Sequence, residues 1–225
     1  LDEYGISPKY TVSFETGRVA HRIVTGIDYS SSDLHYLQPG FLNDRHRHEF
    51  GAYAHDKVVL LPDQLFLDLG YRRSRTEYDM KGSADDAFMT DAATVGLTYA
   101  YAPGSKIFVE FDRAYRAVRL DELGGAAFQD ILPPQITKHY QAGIRHAVDG
   151  WLTCGVTLFH IDTENEIFFD KKKKKNVWGW SGANINYEET RRQGVELEFE
   201  ARPHETVTLF ANYTWMNPEL EGGKY

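Results

Sequence analysis

The stretch YEETRRQGVELEFEARPHETVTLFANYTW, residues 187–215, decides the fold class. Val195, Leu197 and Phe199 alternate with Glu196, Glu198 and Glu200, so an extended chain sets three apolar side chains on one face and three carboxylates on the other. Beyond Arg202-Pro203-His204-Glu205 the pattern resumes, with Val207, Leu209, Ala211, Tyr213 and Trp215 opposite Thr208, Asn212 and Thr214. The segment reads as two strands and a short turn, greasy along one side and polar along the other.

The rhythm recurs through all 225 residues. Leu65, Leu67, Leu69 and Tyr71 alternate with Asp68, Gly70 and Arg72; Val95, Leu97, Tyr99 and Tyr101 with Gly96, Thr98 and Ala100; Ile107, Val109 and Phe111 with Glu110 and Asp112. About ten strands are predicted, near 9–15, 19–36, 46–60, 65–79, 89–102, 106–118, 137–147, 151–165, 189–201 and 206–217. Short connections carry turn residues: Thr16-Gly17-Arg18, Leu61-Pro62-Asp63-Gln64, Ala102-Pro103-Gly104-Ser105, Val148-Asp149-Gly150 and Arg202-Pro203-His204-Glu205. Long ones separate them, near 37–45, 80–88, 119–136 and 166–188. In an up-and-down meander the short turns crowd one rim and the long loops the other, as in outer-membrane barrels.

Composition narrows the classes. A net charge of −8 and a pI near 5.6 argue against a nucleic-acid partner, which needs a basic surface. The single Cys154 rules out an internal disulfide framework and reads as a small apolar residue between Leu152 and Val156 on one strand face. No apolar run is long enough for a membrane helix. The opening LDEYGISPKY lacks the basic and apolar regions of a signal peptide, so targeting was removed or the chain is an internal piece. A soluble β-sandwich binding module satisfies the alternation equally, but sandwiches break the meander with Greek-key crossovers and mostly use shorter strands. Tyr29, Tyr36, Tyr53, Tyr71, Tyr78, Tyr99, Tyr101, Trp151, Tyr213 and Trp215 stand near strand ends, where barrels carry aromatic girdles. The expected fold is an all-β, antiparallel, up-and-down transmembrane barrel, or a partial barrel of about ten strands. Its apolar rows face outer-membrane lipid and its carboxylates face a wet lumen.

The residues also resemble a family. TRRQGVELEFEARPHETVTLFANYTW is similar to the late strand pair of TonB-dependent outer-membrane receptors, with their T-x-x-Q-G-V-E-L strand and A-N-Y-T ending. EFDRAYRAVRLDELGG, ITKHYQAGIRH and VTLFHIDTENEIFF are similar to further family segments, in the expected order. Val118 replaces the usual Pro, and His139 stands where Asn is usual. The resemblance implies that residues 1–225 are about half of a plugged barrel of the 22-stranded type, with the plug, the TonB box and the terminal strand missing. It implies uptake of a ferric siderophore or similar scarce nutrient, powered by the TonB energy-transducing complex through a plug not in this chain. A passive porin-like barrel without energy coupling is the alternative.

Several residues are candidate sites. Inward Arg72, Arg116 and Arg145 are expected to pair with inward Glu110, Asp112, Glu196, Glu198 and Glu200, or these groups to contact a plug. Trp178, Trp180, Asn184, Asn186 and Tyr187, with Phe128, are candidates for gripping an amphipathic ligand at the extracellular loops by stacking and hydrogen bonding; packing of each loop on its neighbours is the alternative. Phe128 and Ile131 are placed over the pore or in a plain structural loop. His46 and His48 share a strand face, but two ligands do not define a metal site, and they read as a solvated strand end. The run Lys171 to Lys175 reads as a solvated loop. No catalytic motif, resident cofactor or metal centre is expected, so the chain is not read as an enzyme.

Overall fold

A meander with short turns requires sequence neighbours to be neighbours in space, and the computed structural model has that order. It describes the backbone of residues 1–38, 41–80, 86–123, 131–172 and 182–221, and the side chains of these apart from 36–38, 41–43 and 221. Eleven strands run in chain order: β1 (Asp2–Ile6), β2 (Lys9–Thr16), β3 (Val19–Gln38), β4 (Phe41–Leu61), β5 (Leu65–Met80), β6 (Asp86–Ala102), β7 (Ser105–Arg116), β8 (Gln135–Val148), β9 (Leu152–Asp170), β10 (Ala183–His204) and β11 (Val207–Glu221). They form one sheet, ordered β1-β3-β4 and onward to β11, with β2 also paired to β3. β1 and β2 keep one register along β3, Ile6 facing Tyr29 and Lys9 facing Gly26. They are two halves of one stave broken at Ser7-Pro8, where proline lacks a ladder donor. The fold is therefore an open, antiparallel, up-and-down partial barrel wall.

The short turns fall where turn residues predict them. Asp149 and Gly150 both have positive φ, 46° and 71°, the backbone that lets a tight hairpin follow the strands' twist. At the other rim the strands outrun the expected loops. β3 and β4 pair as far as Gln38 opposite Phe41, through most of the expected loop at 37–45, and β9 and β10 pair to Asp170 opposite Ala183. Here cross-strand polar pairs such as His35–Asp44 at 3.0 Å replace apolar rows, so the ladder continues where hydropathy loses its period. The Arg202 to Glu205 turn is also corrected: β10 continues to His204 with a register shift after Ala201, an irregularity that accommodates Pro203.

Opposite residues share a face, so the registers sort every stave into two sides. One outward row reads Leu67, Leu97, Val109, Ala142, Leu158, Val195, Trp215. The inward row beside it reads Asp68, Gly96, Glu110, Gln141, Phe159, Gly194, Met216. Among the described residues no second layer covers the outward row: Val109, Leu158 and Trp215 are 51%, 56% and 55% exposed. The accessible surface, 14863 Å², exceeds the roughly 10,500 Å² expected of a compact monomer of this mass. A sandwich would have buried these rows, so that reading is set aside.

The apolar band slants across the sheet. Its upper limit, the first outward charge above the apolar rows, is Asp33 on β3, Arg73 on β5, Arg113 on β7, Lys138 on β8 and Glu219 on β11. Through the registers Asp33 is level with Asp79 on β5, whereas Glu219 is level with Tyr71. The limit drops eight residues between β3 and β7, from Asp79 to Tyr71 in the terms of β5, and then runs level to β11, where Arg113, Lys138 and Glu219 share one register line.

Two aromatic residues leave the expected girdle. Tyr53 lies inward over Gly26, with its ring beneath the Arg72 guanidinium at 5.9 Å. Tyr78 lies inward and buried, 2% exposed. Tyr29, Tyr71, Tyr99, Tyr101, Trp151, Tyr213 and Trp215 are exposed.

Candidate functional site

On the inward face, midway along β5, the sheet holds its best connected polar group. Arg72 on β5 binds Asp28 of β3, donates to Ser74 Oγ and Tyr115 Oη at 3.0 Å each, and lies 3.8 Å from Glu49 of β4. Tyr115 donates to Ser74 Oγ at 2.6 Å and reaches Glu49 at 3.1 Å. Gly51 makes room, because a Cβ there would meet the Arg72 guanidinium and lie 2.6 Å from Ser74 Oγ. The group staples four staves together, since β6–β7 pairing ends at Ala93 opposite Arg113 and the chain beyond leans inward to carry Tyr115 into it.

Beyond Arg116 the chain folds onto the inside of the wall. Val118, Leu120, Leu123 and Ile131 bury against Tyr78 and Met80, with Leu34, Phe88 and Ile167 alongside. This apolar cluster sits at the inner mouth. Side chains of the wall take up the segment's carbonyls, which would otherwise be buried unpaired. Tyr78 Oη donates to Val118 O at 2.7 Å, Arg45 to Leu120 O at 3.0 Å, Asn184 to Glu122 O at 2.6 Å and Asn186 to Pro133 O at 3.2 Å. Burial pushes the Tyr78 phenol well above its ordinary range, so it stays a proton donor to Val118 throughout the physiological range. Arg116 forks onto Glu122 at 2.8 and 2.9 Å.

The registers place Arg72, Glu110, Asp112, Arg116, Arg145, Glu196 and Glu198 on the inward face. Their partners differ from those expected. Arg72 pairs with Asp28 and Glu49, and Arg116 with Glu122; Asp112 accepts from Thr94 at 2.6 Å. Arg72 is level with Ala92, two strands from β7, beyond reach of Glu110 and Asp112. Arg145 and Glu198 face each other across Gly155, an intervening stave. Asn184 points inward to the mouth segment, whereas Tyr187, of opposite parity, packs outward with ring centroids 5.2 Å from Phe168. Trp178, Trp180 and Phe128 lie outside the described residues. Ile131 belongs to the inner cluster.

His46 and His48 turn outward: His46 Nδ1 is 2.5 Å from Asp33 and His48 is 3.4 Å from Tyr29 Oη. Among the described residues no group of three or more His, Cys, Asp or Glu is arranged to hold a metal ion. Lys171 and Lys172 are exposed and the rest of the run lies outside the described residues. The residues sequence reading missed are Asp28, Glu49, Ser74 and Tyr115, and the signal for the inner cluster was Tyr78 and Met80, two apolar residues on the polar parity of β5.

The family model described as TonB dependent receptor-like, beta-barrel matches residues 2–225. A metal-pseudopaline receptor of Pseudomonas aeruginosa, CntO, is 24% identical over 200 residues, covering 79% of this chain and 26% of the receptor; the chain thus spans about a quarter of that relative. Among solved structures, BauA, the ferric preacinetobactin receptor of Acinetobacter baumannii, superposes with a TM-score of 0.74 at 19% identity, over 99% of this chain and 37% of that one. The ferripyoverdine receptor of the outer membrane of Pseudomonas aeruginosa superposes with a TM-score of 0.73 at 17% identity, over 99% and 33%.

Proposed function

Because this chain belongs to the TonB-dependent receptor-like β-barrel family, a family of outer-membrane receptors of Gram-negative bacteria and not of enzymes, we propose that it forms wall and mouth of a receptor for energy-coupled uptake of a ferric siderophore or similar metal chelate. The observation that carries this is the two-sided sheet: uncovered apolar rows outside, a stapled polar wall inside, and residues 117–123 and 131–134 folded onto the inner mouth. A passive pore needs the first two features. An ordered segment tied across the mouth suits a gated path better.

In this reading residues 1–225 are barrel wall, and energy reaches the cargo through a plug encoded elsewhere in the parent protein and pulled by the TonB complex. Inward Glu110, Asp112, Arg145, Glu196 and Glu198 face that plug. Trp178, Trp180, Asn184 and Phe128, with the mouth segment, supply contacts to ligand, while Tyr187, turned outward onto Phe168, does not. The test is uptake of radiolabelled ferric siderophores by cells in which the parent gene is the sole receptor. Uptake that stops when a protonophore collapses the proton gradient supports the proposal; uptake that persists would establish the passive porin.

A further inference from the structure

Above Glu164 the wall changes character. β8 pairs with β9 as far as Ile136 opposite Glu164, and β11 with β10 as far as Glu221 opposite Glu189. β9 and β10 pair on together, from Glu166 opposite Tyr187 to Asp170 opposite Ala183. Among the described residues this upper ribbon therefore has no strand on either flank, and a two-stranded ribbon alone is marginally stable. The ladder inside it breaks at the same level: Glu164 pairs with Glu189 and Glu166 with Tyr187, but Asn165 and Glu188 between them make no pair. Asn165 has a φ of 54°, in the left-handed region that asparagine tolerates better than most side chains. Three ladders lapse on one line, at a residue already displaced from extended backbone, and a hinge is made of a few such positions that absorb a change of φ and ψ.

Two sets of contacts hold the ribbon where it stands. The first crosses the break. The Glu166 carboxylate accepts from Arg192, below the hinge, at 2.6 and 2.8 Å, and from the Thr190 hydroxyl. Charge-assisted pairs of this kind are the strong ones, and both side chains are partly shielded from water. The second set joins the ribbon to the mouth segment. Asn184 donates to Glu122 O, and Asn186 donates both to Pro133 O and to Asn165 O at the hinge itself. The Ile167 amide donates to Gln135 Oε1, where the mouth segment enters β8, and the Ile167 side chain packs beside Val118, Leu120, Leu123 and Ile131. A rotation about Asn165 that kept these ties would carry the mouth segment with it, against the bonds that Tyr78 and Arg45 make to Val118 O and Leu120 O.

We propose that residues 166–170 and 183–187 form a single rigid lid with residues 117–123, that this lid tips about Asn165 and Glu188, and that the Glu166–Arg192 pair is its catch. The inference is independent of the cargo. It holds for a passive barrel as for an energised one, so its failure and the failure of the uptake reading are separate results.

The test is amide hydrogen exchange of the full-length receptor in lipid nanodiscs, with and without Glu166→Gln. Exchange should quicken by about tenfold or more, the worth of a hydrogen bond to a charged group, and by one common factor in residues 166–170, 183–187 and 117–123, with 152–163 unchanged. In an Asn184→Ala/Asn186→Ala background the same substitution should still quicken the ribbon, while the mouth segment responds by less than about twofold. No quickening, quickening of the ribbon alone with both asparagines present, quickening spread down β9 to residue 152, or a mouth response that survives loss of both asparagines would each overturn the proposal. Arg192→Gln removes the catch from its other side and keeps the test open should Glu166→Gln not fold. Arg202→Ala, at the short-turn rim, should leave exchange in the mouth segment unchanged.

Discussion

Leu158→Arg is the perturbation most directly sized by the structure. From Leu152 to Asp162, β9 advances ten residues, about 33 Å along the strand. At a tilt of about 35–40° that is about 26 Å along the membrane normal, the height of a barrel's apolar band. Leu158 lies about one residue from the middle of it, outward, between Ala142 and Val195. An arginine there is expected to cost about 2–4 kcal/mol, a factor of about 30 to 700 in the folding equilibrium. The neighbouring Thr157→Arg points inward, level with Gly143 and Glu196, and is expected to change stability by under about 1 kcal/mol. Equilibrium unfolding of the full-length protein from lipid vesicles in guanidinium chloride, read by heat-modifiable gel mobility, measures both. Equal costs for the two substitutions would refute the assignment of faces.

Tyr78→Phe removes the donor to Val118 O and is expected to destabilise the mouth segment by about 1–3 kcal/mol, seen as faster amide exchange in residues 117–123 with the strands unchanged. Gly51→Val drives a side chain into Arg72 and Ser74 and should lower global stability by about 1–3 kcal/mol, read by the same unfolding assay. At the β3–β4 tip the hydrogen bond that His35 donates to the Asp44 carboxylate, aided by the charges of Asp33 and Asp2, raises the His35 pKa. A raised histidine contributes stability fully below its unfolded value of about 6.5 and loses it as pH rises through the folded value. Amide exchange around His35 and Asp44 should therefore quicken, after correction for intrinsic rates, from pH 6 to pH 8.5; an Asp44→Asn variant should abolish the difference.

The outward rows were legible because a strand's period is two and lipid demands apolar side chains at every second residue. Leu65, Leu67 and Leu69 announce this without any partner in view. Above the membrane that demand lapses. His35 with Asp44 across β3 and β4 extends the ladder through a polar pair, and polar-on-polar alternation carries no hydropathy signal. β1 was hidden by Ser7-Pro8, which reads as a break although register continues across it. The Arg72 staple was illegible for another reason: Asp28, Glu49 and Tyr115 come from three other staves, and only the register of β3 to β5 and the inward lean after Arg113 bring them together. The apolar residues Val118, Leu120, Leu123 and Ile131 have no single period, so their burial follows from the Tyr78–Met80 patch they cover and not from their own spacing.

The central claim is that alternate residues of one stave meet lipid and water. Single spin labels at residues 152 through 162, in a Cys154→Ser background of the full-length protein reconstituted in bilayers, test it by electron paramagnetic resonance collision accessibility. Oxygen accessibility should peak at the even positions, greatest near 156 and 158, with a water-soluble nickel reagent favouring the odd ones. A flat profile, or oscillation in the opposite phase, would contradict the account.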